Sequence, residues 1–393
     1  MNKETAIQKT VAAHIENFGK KPESIAWAPG RIEVLGNHTD YNAGTVLSAA
    51  INYGHCFCIS RSDRPGIHLF AADAGQRASF DITDTGKVSG IGSGNYVKGV
   101  FHFIQDHLKQ KIDGLDCTSF GIVPLGAGLS SSAALEVSAA YAVLKILNVT
   151  VDKKEIARLC QKAEHQFAGT KCGLLDQFSS IFGRNHGLIH SDFRTLEVSS
   201  VTLPDDIEFL VVNPHVKHSL ADSPYNERRE RCEQAAAQLA EILPHPVAAL
   251  RDVSPEEFEA NRSRIAPGAA KRAAHIIGEI DRVERGVELL RTENIKAFGQ
   301  LLFESHRSSI ENFENSCPEL DIVVEAARAA GAPGARLSGG GFGGCAIVMV
   351  QKNQAPAVTE KIGVSCREKG ISPEFLAVTP AGGAELVSPE SIR

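Results

Sequence analysis

Pro124-Leu125-Gly126-Ala127-Gly128-Leu129-Ser130-Ser131-Ser132-Ala133-Ala134 joins a strand-like run, Cys117–Val123, to a long helical pattern, Leu129–Leu147. Glycine lets the backbone approach a ligand closely, and a helix N-terminus offers free N–H groups at the positive end of its dipole. Three consecutive serines add hydroxyls at the same place. The stretch therefore reads as an anion cradle for the phosphate chain of a nucleotide. It is not a Walker loop, because no Gly-Lys-Ser/Thr follows, and not the dinucleotide fingerprint, whose third glycine position is held by Ser131. The plainer alternative is a strand–helix turn with serine N-caps.

Upstream, Ala28-Pro29-Gly30-Arg31-Ile32-Glu33-Val34-Leu35-Gly36-Asn37-His38-Thr39-Asp40-Tyr41 gathers seven hydrogen-bonding side chains, from Arg31 and Glu33 to Tyr41. Burying such groups unpaired costs roughly 1–3 kcal/mol each, so a segment that only built a core would not collect them. They suit a ligand rich in hydroxyls, a sugar. Downstream, Gly339–Gly344 holds five glycines in six positions, more than a hinge needs, and reads as another wall of the phosphate site. Two carboxylates stand out. Asp176 is flanked by Leu174, Leu175 and Phe178, unlike open surface, and Glu164 lies near the end of a helical pattern. One such group can accept a hydroxyl proton and another can hold Mg²⁺. Arg31 is a candidate neighbour that would keep Asp176 ionised.

At 393 residues the chain is long for a single core, so two domains are expected, 1–200 and 201–393. A formal net charge of −6 argues against a nucleic-acid partner. The nine cysteines form no C-x-x-C pair and no array at zinc spacing, which fits free thiols in a reducing cytosol. No run approaches the ~18 apolar residues of a membrane span, and Met1–Lys20 lacks the pattern of a signal peptide. A cytoplasmic protein without a membrane partner is expected. Strand-like runs fall at Ile25–Ala28, Val46–Ala50, Cys56–Ser60, Ile67–Ala71, Gly187–Asp192 and Ile207–Asn213. Helical patterns fall at Asn95–Lys109, Lys153–Gln166 and near Gly173–Phe182. The chain then turns helix-rich from Pro214 to Ala330 and closes with strand-like Cys345–Val350, a helix, and Phe375–Val378. This is an α+β pattern.

Together these motifs resemble the galactokinase family, within the GHMP kinase superfamily that also holds homoserine, mevalonate and phosphomevalonate kinases. Pro124–Ala134 is similar to the superfamily's phosphate loop and Gly334–Cys345 to its third motif. The segment from Gly30 to Tyr41 and the stretch Tyr225-Asn226-Glu227-Arg228-Arg229 narrow the likeness to the galactokinase branch, which covers the chain almost end to end. The resemblance implies a two-domain GHMP kinase fold, a ribosomal-S5-like mixed α/β half followed by a ferredoxin-like half, with the active site between them. It implies Asp176 as the base for the sugar's anomeric hydroxyl, with Arg31 holding it ionised and steadying the transferring phosphoryl group. Gly126, Gly128, Ser130, Ser131 and Ser132 would bind ATP phosphates, Ser132 and Glu164 would ligate Mg²⁺, and Asn37, His38, Asp40, Gly173 and Tyr225 would meet the sugar. The expected activity is direct in-line transfer from ATP to a sugar by a monomeric enzyme.

Two departures stand out. The family's segment reads Arg-x-Asn-x-x-Gly-Glu-His, whereas here Glu33 and Asn37 have exchanged places. Asn37 thus stands where the family glutamate meets the sugar's 6-hydroxyl, which leaves galacturonate as an alternative to galactose; another galactose-like sugar, N-acetylgalactosamine, is a further one. Ser93-Gly94 stands where the family often places an adenine-stacking aromatic, which bears on nucleotide preference. A non-catalytic sugar and ATP sensor is the remaining alternative; such relatives carry a damaged phosphate loop, and here the loop and Asp176 are intact.

Overall fold

Two long strands carry the first half of the molecule, β1 (Ser24–Leu35) and β2 (Thr45–Arg61). The computed structural model describes residues 1–84, 86–89, 91–124, 126–216 and 225–388; of the glycine–serine loop, Leu125 lies outside the described residues. Every residue of β1 is buried, because each side of the strand meets its own cover. Ile25 and Trp27 pack with Ala6 and Ile7 of the helix Lys3–Phe18, and Ala26 and Ala28 face the helix Ser131–Ile146. Further along, Ile32 and Leu35 join Val283 and Val287 of the helix Pro267–Arg291.

The sequence reading divides β2 between Ala50 and Cys56; the structure runs it through unbroken. Gly54 lies opposite Pro29, and a Cβ there would sit 2.3 Å from the Ala28 carbonyl oxygen. This glycine serves close strand approach, not a turn. The sheet adds β3 (Ile67–Ala71), β4 (Gln76–Phe80), β5 (Leu115–Gly121), β6 (Gly187–Asp192) and β7 (Glu197–Thr202). Pairing is antiparallel throughout except between β3 and β5.

The second sheet contains β8 (Ile207–Asn213), β9 (Gly334–Ser338), β10 (Cys345–Gln351) and β11 (Glu374–Val378), antiparallel in the order β11-β8-β10-β9. That 4-1-3-2 order is ferredoxin-like, with a run of helices from Tyr225 to Ala329 between its first two strands. The expected boundary between residues 200 and 201 falls inside β7 rather than between the two sheets, and the chain's end returns to the first sheet. There β12 (Glu385–Leu386) pairs with Ala26 and Trp27, and Pro380 bridges Ile51. No helix among the described residues is long and apolar enough to cross a membrane.

The helix Lys153–Ala163 does not continue regularly through Gln166 as expected. It ends in a π-turn, Glu164–Ala168, a local rewinding that often marks functional sites and here turns Glu164 inward.

His14 shows how burial enters stability. Its ring is fully buried between Thr118 Oγ1 at 3.0 Å and Ser60 Oγ at 2.9 Å, and burial lowers its pKa to about 4. Above pH 6.5 the ring is neutral both folded and unfolded; as pH falls toward 4 the unfolded chain takes up a proton that the folded one refuses. Urea unfolding of the protein and of His14→Gln should therefore give a stability difference that moves against the histidine by up to about 3 kcal/mol between pH 6.5 and 4. A pH-independent difference would show that His14 titrates normally.

Candidate active site

β1 bulges between Pro29 and Arg31, and there the Arg31 N–H donates to the Leu129 carbonyl of the glycine–serine loop at 3.0 Å. This contact joins the polar segment to the loop. The end of β1, the loop, the first turn of the helix Leu175–Phe182 and Gly340 enclose a cleft of ≈ 240 Å³, and all the candidate residues of the sequence reading line it.

Arg31 Nε and Nη2 both donate to Asp176 Oδ1, at 2.9 and 2.7 Å, and Nη1 donates to the Gly128 carbonyl at 2.5 Å. Burial works against the Arg31 charge, but Asp176 and Glu33 outweigh it and hold the guanidinium above its ordinary pKa. Asp176 is thus clamped by one oxygen and tied to the loop. Its Oδ2 has no hydrogen-bond partner among the described residues.

The loop's serines do not act as N-caps. Ser130, at φ 58°, makes no capping hydrogen bond, and its Oγ is buried with no partner among the described residues. An orphaned hydroxyl at a helix N-terminus fits a phosphate oxygen. Ser132 Oγ donates to Glu164 Oε1 at 3.3 Å. Glu164 Oε2 accepts from Gln177 Nε2 at 3.0 Å, which also donates to Glu136 at 3.1 Å. Burial, with the charge of Asp176, raises the Glu164 carboxyl to about 7. One carboxylate and one hydroxyl facing each other beside a phosphate cradle fit Mg²⁺, a hard cation that takes few protein ligands and completes its shell with phosphates and water.

The sugar wall is more tightly braced than the sequence reading expected. Asp40 accepts from the backbone N–H groups of Tyr41 at 2.9 Å and Leu175 at 3.4 Å, and burial raises its carboxyl to about 6. A Cβ on Gly173 would lie 1.7 Å from Asp40 Oδ2, so any other residue there would displace the Asp40 carboxylate. His38 was expected to meet sugar hydroxyls, yet both its ring nitrogens are engaged within the protein. Nε2 donates to the Gly340 carbonyl at 2.9 Å, and Nδ1 accepts from the Tyr41 hydroxyl at 2.8 Å. The ring also packs on Tyr225 and Phe313, so His38 shapes the wall and leaves no nitrogen for a sugar.

The exchanged pair meets directly. Asn37 Nδ2 donates to Glu33 Oε1 at 2.7 Å and to the Gly339 carbonyl at 2.8 Å, and Asn37 Oδ1 accepts from Asn315 at 2.9 Å. Glu33 also pairs with the fully buried Arg336 at 3.1 Å, and Glu279 accepts the backbone N–H groups of Gly36 and Asn37. The glycine patch proves to serve both loops. Its Gly339 and Gly340 carbonyls hold Asn37 and His38, while Gly344 lies against Ala127 and Gly128. Sequence reasoning missed Arg336, Glu279, Asn315 and Gln177. Arg336 lies in a buried strand, Glu279 and Gln177 on inner helix faces and Asn315 in the connection before the helix Pro318–Ala329, and none of them carries a local motif.

The chain is similar in sequence and fold to known proteins. The chain matches the family models described as GHMP kinases N terminal domain over 95–184, galactokinase galactose-binding signature over 12–61, and GHMP kinases C terminal over 287–365. It is 37% identical to the galactokinase of Glaesserella parasuis serovar 5, covering 95% of this chain and 97% of that one. It is 40% identical to the galactokinase of Bos taurus, covering 91% of each. The crystal structure of Lactococcus lactis galactokinase complexed with galactose superposes with a TM-score of 0.89 at 31% identity, over 95% of this chain and 98% of that one. Methanococcus jannaschii mevalonate kinase, at 16% identity and a TM-score of 0.63, shares the fold.

Proposed function

The chain belongs to the galactokinase family of the GHMP kinases, and from that premise we propose that it transfers the γ-phosphoryl group of ATP to the anomeric hydroxyl of D-galactose. The observation that carries the chemistry is the Arg31–Asp176 clamp, which holds one carboxylate oxygen and leaves the other open to the cleft. Asp176 Oδ2 takes the hydroxyl proton as the sugar oxygen forms its bond to phosphorus and the bond to ADP breaks. Phosphoryl transfer needs positioning and charge neutralisation more than covalent chemistry, so no phospho-enzyme is required. Arg31, the helix N-terminus and the unpartnered Ser130 hydroxyl supply that charge and those donors. Ser132 and Glu164 would hold Mg²⁺, which when bound neutralises phosphate charge.

The sugar wall supports galactose over galacturonate. Both amide hydrogens of Asn37 are engaged, and its neighbour Glu33 is a carboxylate, so this wall offers acceptors. It suits a hydroxyl donor and disfavours a second carboxylate. The intact loop and the clamped Asp176 favour an enzyme over a sensor. ADP release with galactose, galacturonate, N-acetylgalactosamine and glucose tests this: galactose should give the highest kcat/KM. Binding of ATP and galactose without turnover of any sugar would support a sensor instead.

Asn37→Glu alone should destabilise the fold, because it sets a second buried carboxylate against Glu33; unfolding in urea should show a loss of about 2 kcal/mol or more. Adding Glu33→Asn, which restores one carboxylate to the wall, should recover most of it. Additive losses in the double variant would mean that the two positions do not share one charge site.

A further inference from the structure

His55 lies on β2, opposite Gly121 at the end of β5, and its ring lies across that glycine: a Cβ on Gly121 would sit 2.2 Å from His55 Cε1. The imidazole therefore occupies a space that only glycine leaves open. From there His55 Nε2 reaches Ser131 Oγ at 3.0 Å, at the first residue of the helix that follows the glycine–serine loop. The other ring nitrogen, Nδ1, is buried and has no partner among the described residues. His55 itself is 7% exposed, and Ser131 lines the cleft.

These contacts fix the direction of the hydrogen bond. Burial lowers the His55 pKa to about 4, so the ring is neutral at ordinary pH and carries one hydrogen. A hydrogen on Nδ1 would be an orphaned buried donor, which native structures avoid more strictly than an unpaired acceptor. The hydrogen therefore sits on Nε2 and is donated to Ser131 Oγ. A serine hydroxyl that accepts one hydrogen bond still has its own proton to give. With His55 on the protein side, that proton turns toward the cleft.

We propose that His55 is a positioning residue for the nucleotide: by donating to Ser131 Oγ it orients the Ser131 hydroxyl as a donor to the phosphate chain of ATP. This rests on the reading above that the glycine–serine loop holds those phosphates. His55 touches no substrate and acts through Ser131 alone, so its removal should weaken ATP and leave the sugar untouched.

The test is steady-state kinetics with ATP and galactose varied separately, on His55→Leu, His55→Gln, Ser131→Ala and the double variant His55→Leu/Ser131→Ala, each checked for folding by a thermal melt. His55→Leu should raise the KM for ATP about tenfold, the scale of one hydrogen bond to a charged group, with the KM for galactose unchanged. His55→Gln, whose amide can donate in the same place, should recover most of the loss. Ser131→Ala should raise the KM for ATP by a similar factor, and the double variant should be no worse than either single one. A parallel rise in both KM values, or losses that multiply in the double variant, would overturn the role of His55. If Ser131→Ala leaves the KM for ATP unchanged, the assignment of the loop to phosphates fails first, and the role of His55 falls with it. Should His55→Leu fail to fold, Gly121→Ala displaces the same ring from the other side; an unchanged KM for ATP in that variant would equally contradict the proposal.

Discussion

Asp176→Asn lowers kcat by at least about 10²-fold while galactose binding changes only a few-fold. The expectation follows from how the carboxylate is held. Both Arg31 contacts go to Oδ1, and the amide of asparagine keeps one oxygen that can accept them. The variant retains the clamp and the shape of the cleft but has no basic oxygen to receive a proton. ADP release measures the loss, and calorimetric titration with galactose in the absence of ATP measures the binding. Turnover near the normal rate would remove Asp176 from its role as base.

Arg336→Leu should give the largest loss of stability, about 3–5 kcal/mol by urea unfolding. Arg336, on β9, is fully buried and donates to Glu33 on β1, so the pair joins the two sheets. Removing the arginine leaves a carboxylate in the interior without its counter-ion. Burial already raises the Glu33 pKa against the pull of Arg336 and Arg31, and loss of Arg336 raises it further. The sign of the pH dependence follows. The deficit is felt where Glu33 must be charged in the fold, above its raised folded pKa, and shrinks as pH falls toward the unfolded value near 4.5. A deficit that does not depend on pH would mean lost packing and not an unpaired charge. Since Glu33 and Asn37 line the cleft together, the KM for galactose should rise as well.

What the sequence reveals and conceals follows from the range of the interactions. Strands with a local apolar pattern, such as Gly187–Asp192 and Ile207–Asn213, occur where their residues place them. The edge strands β4 and β7, built from polar Gln-Arg-Ala-Ser-Phe and Glu-Val-Ser-Ser-Val-Thr, lack that pattern and are seen only through their partners. The gap left between Ala50 and Cys56 contains Gly54, a residue type that usually marks turns; its real reason, the backbone of β1 pressed against it, is a tertiary fact. The same holds in the cleft. The motifs that bear the chemistry are local and legible. The partners that aim them, Arg336 for Glu33, Glu279 for the Gly36–Asn37 backbone and Gln177 for Glu164, come from other elements of the fold. His38 is the instructive case. Its place in the motif suggests a ligand contact, and only the structure shows both nitrogens engaged.

On this account the cleft moves a phosphoryl group from ATP to the anomeric oxygen of galactose. Phosphorus NMR of the protein with ATP, Mg²⁺ and galactose tests it most directly. One new sugar phosphate ester, its phosphorus coupled to the anomeric proton and formed mole for mole with ADP, is the expected result. Phosphate on another hydroxyl, or inorganic phosphate alone, would contradict it.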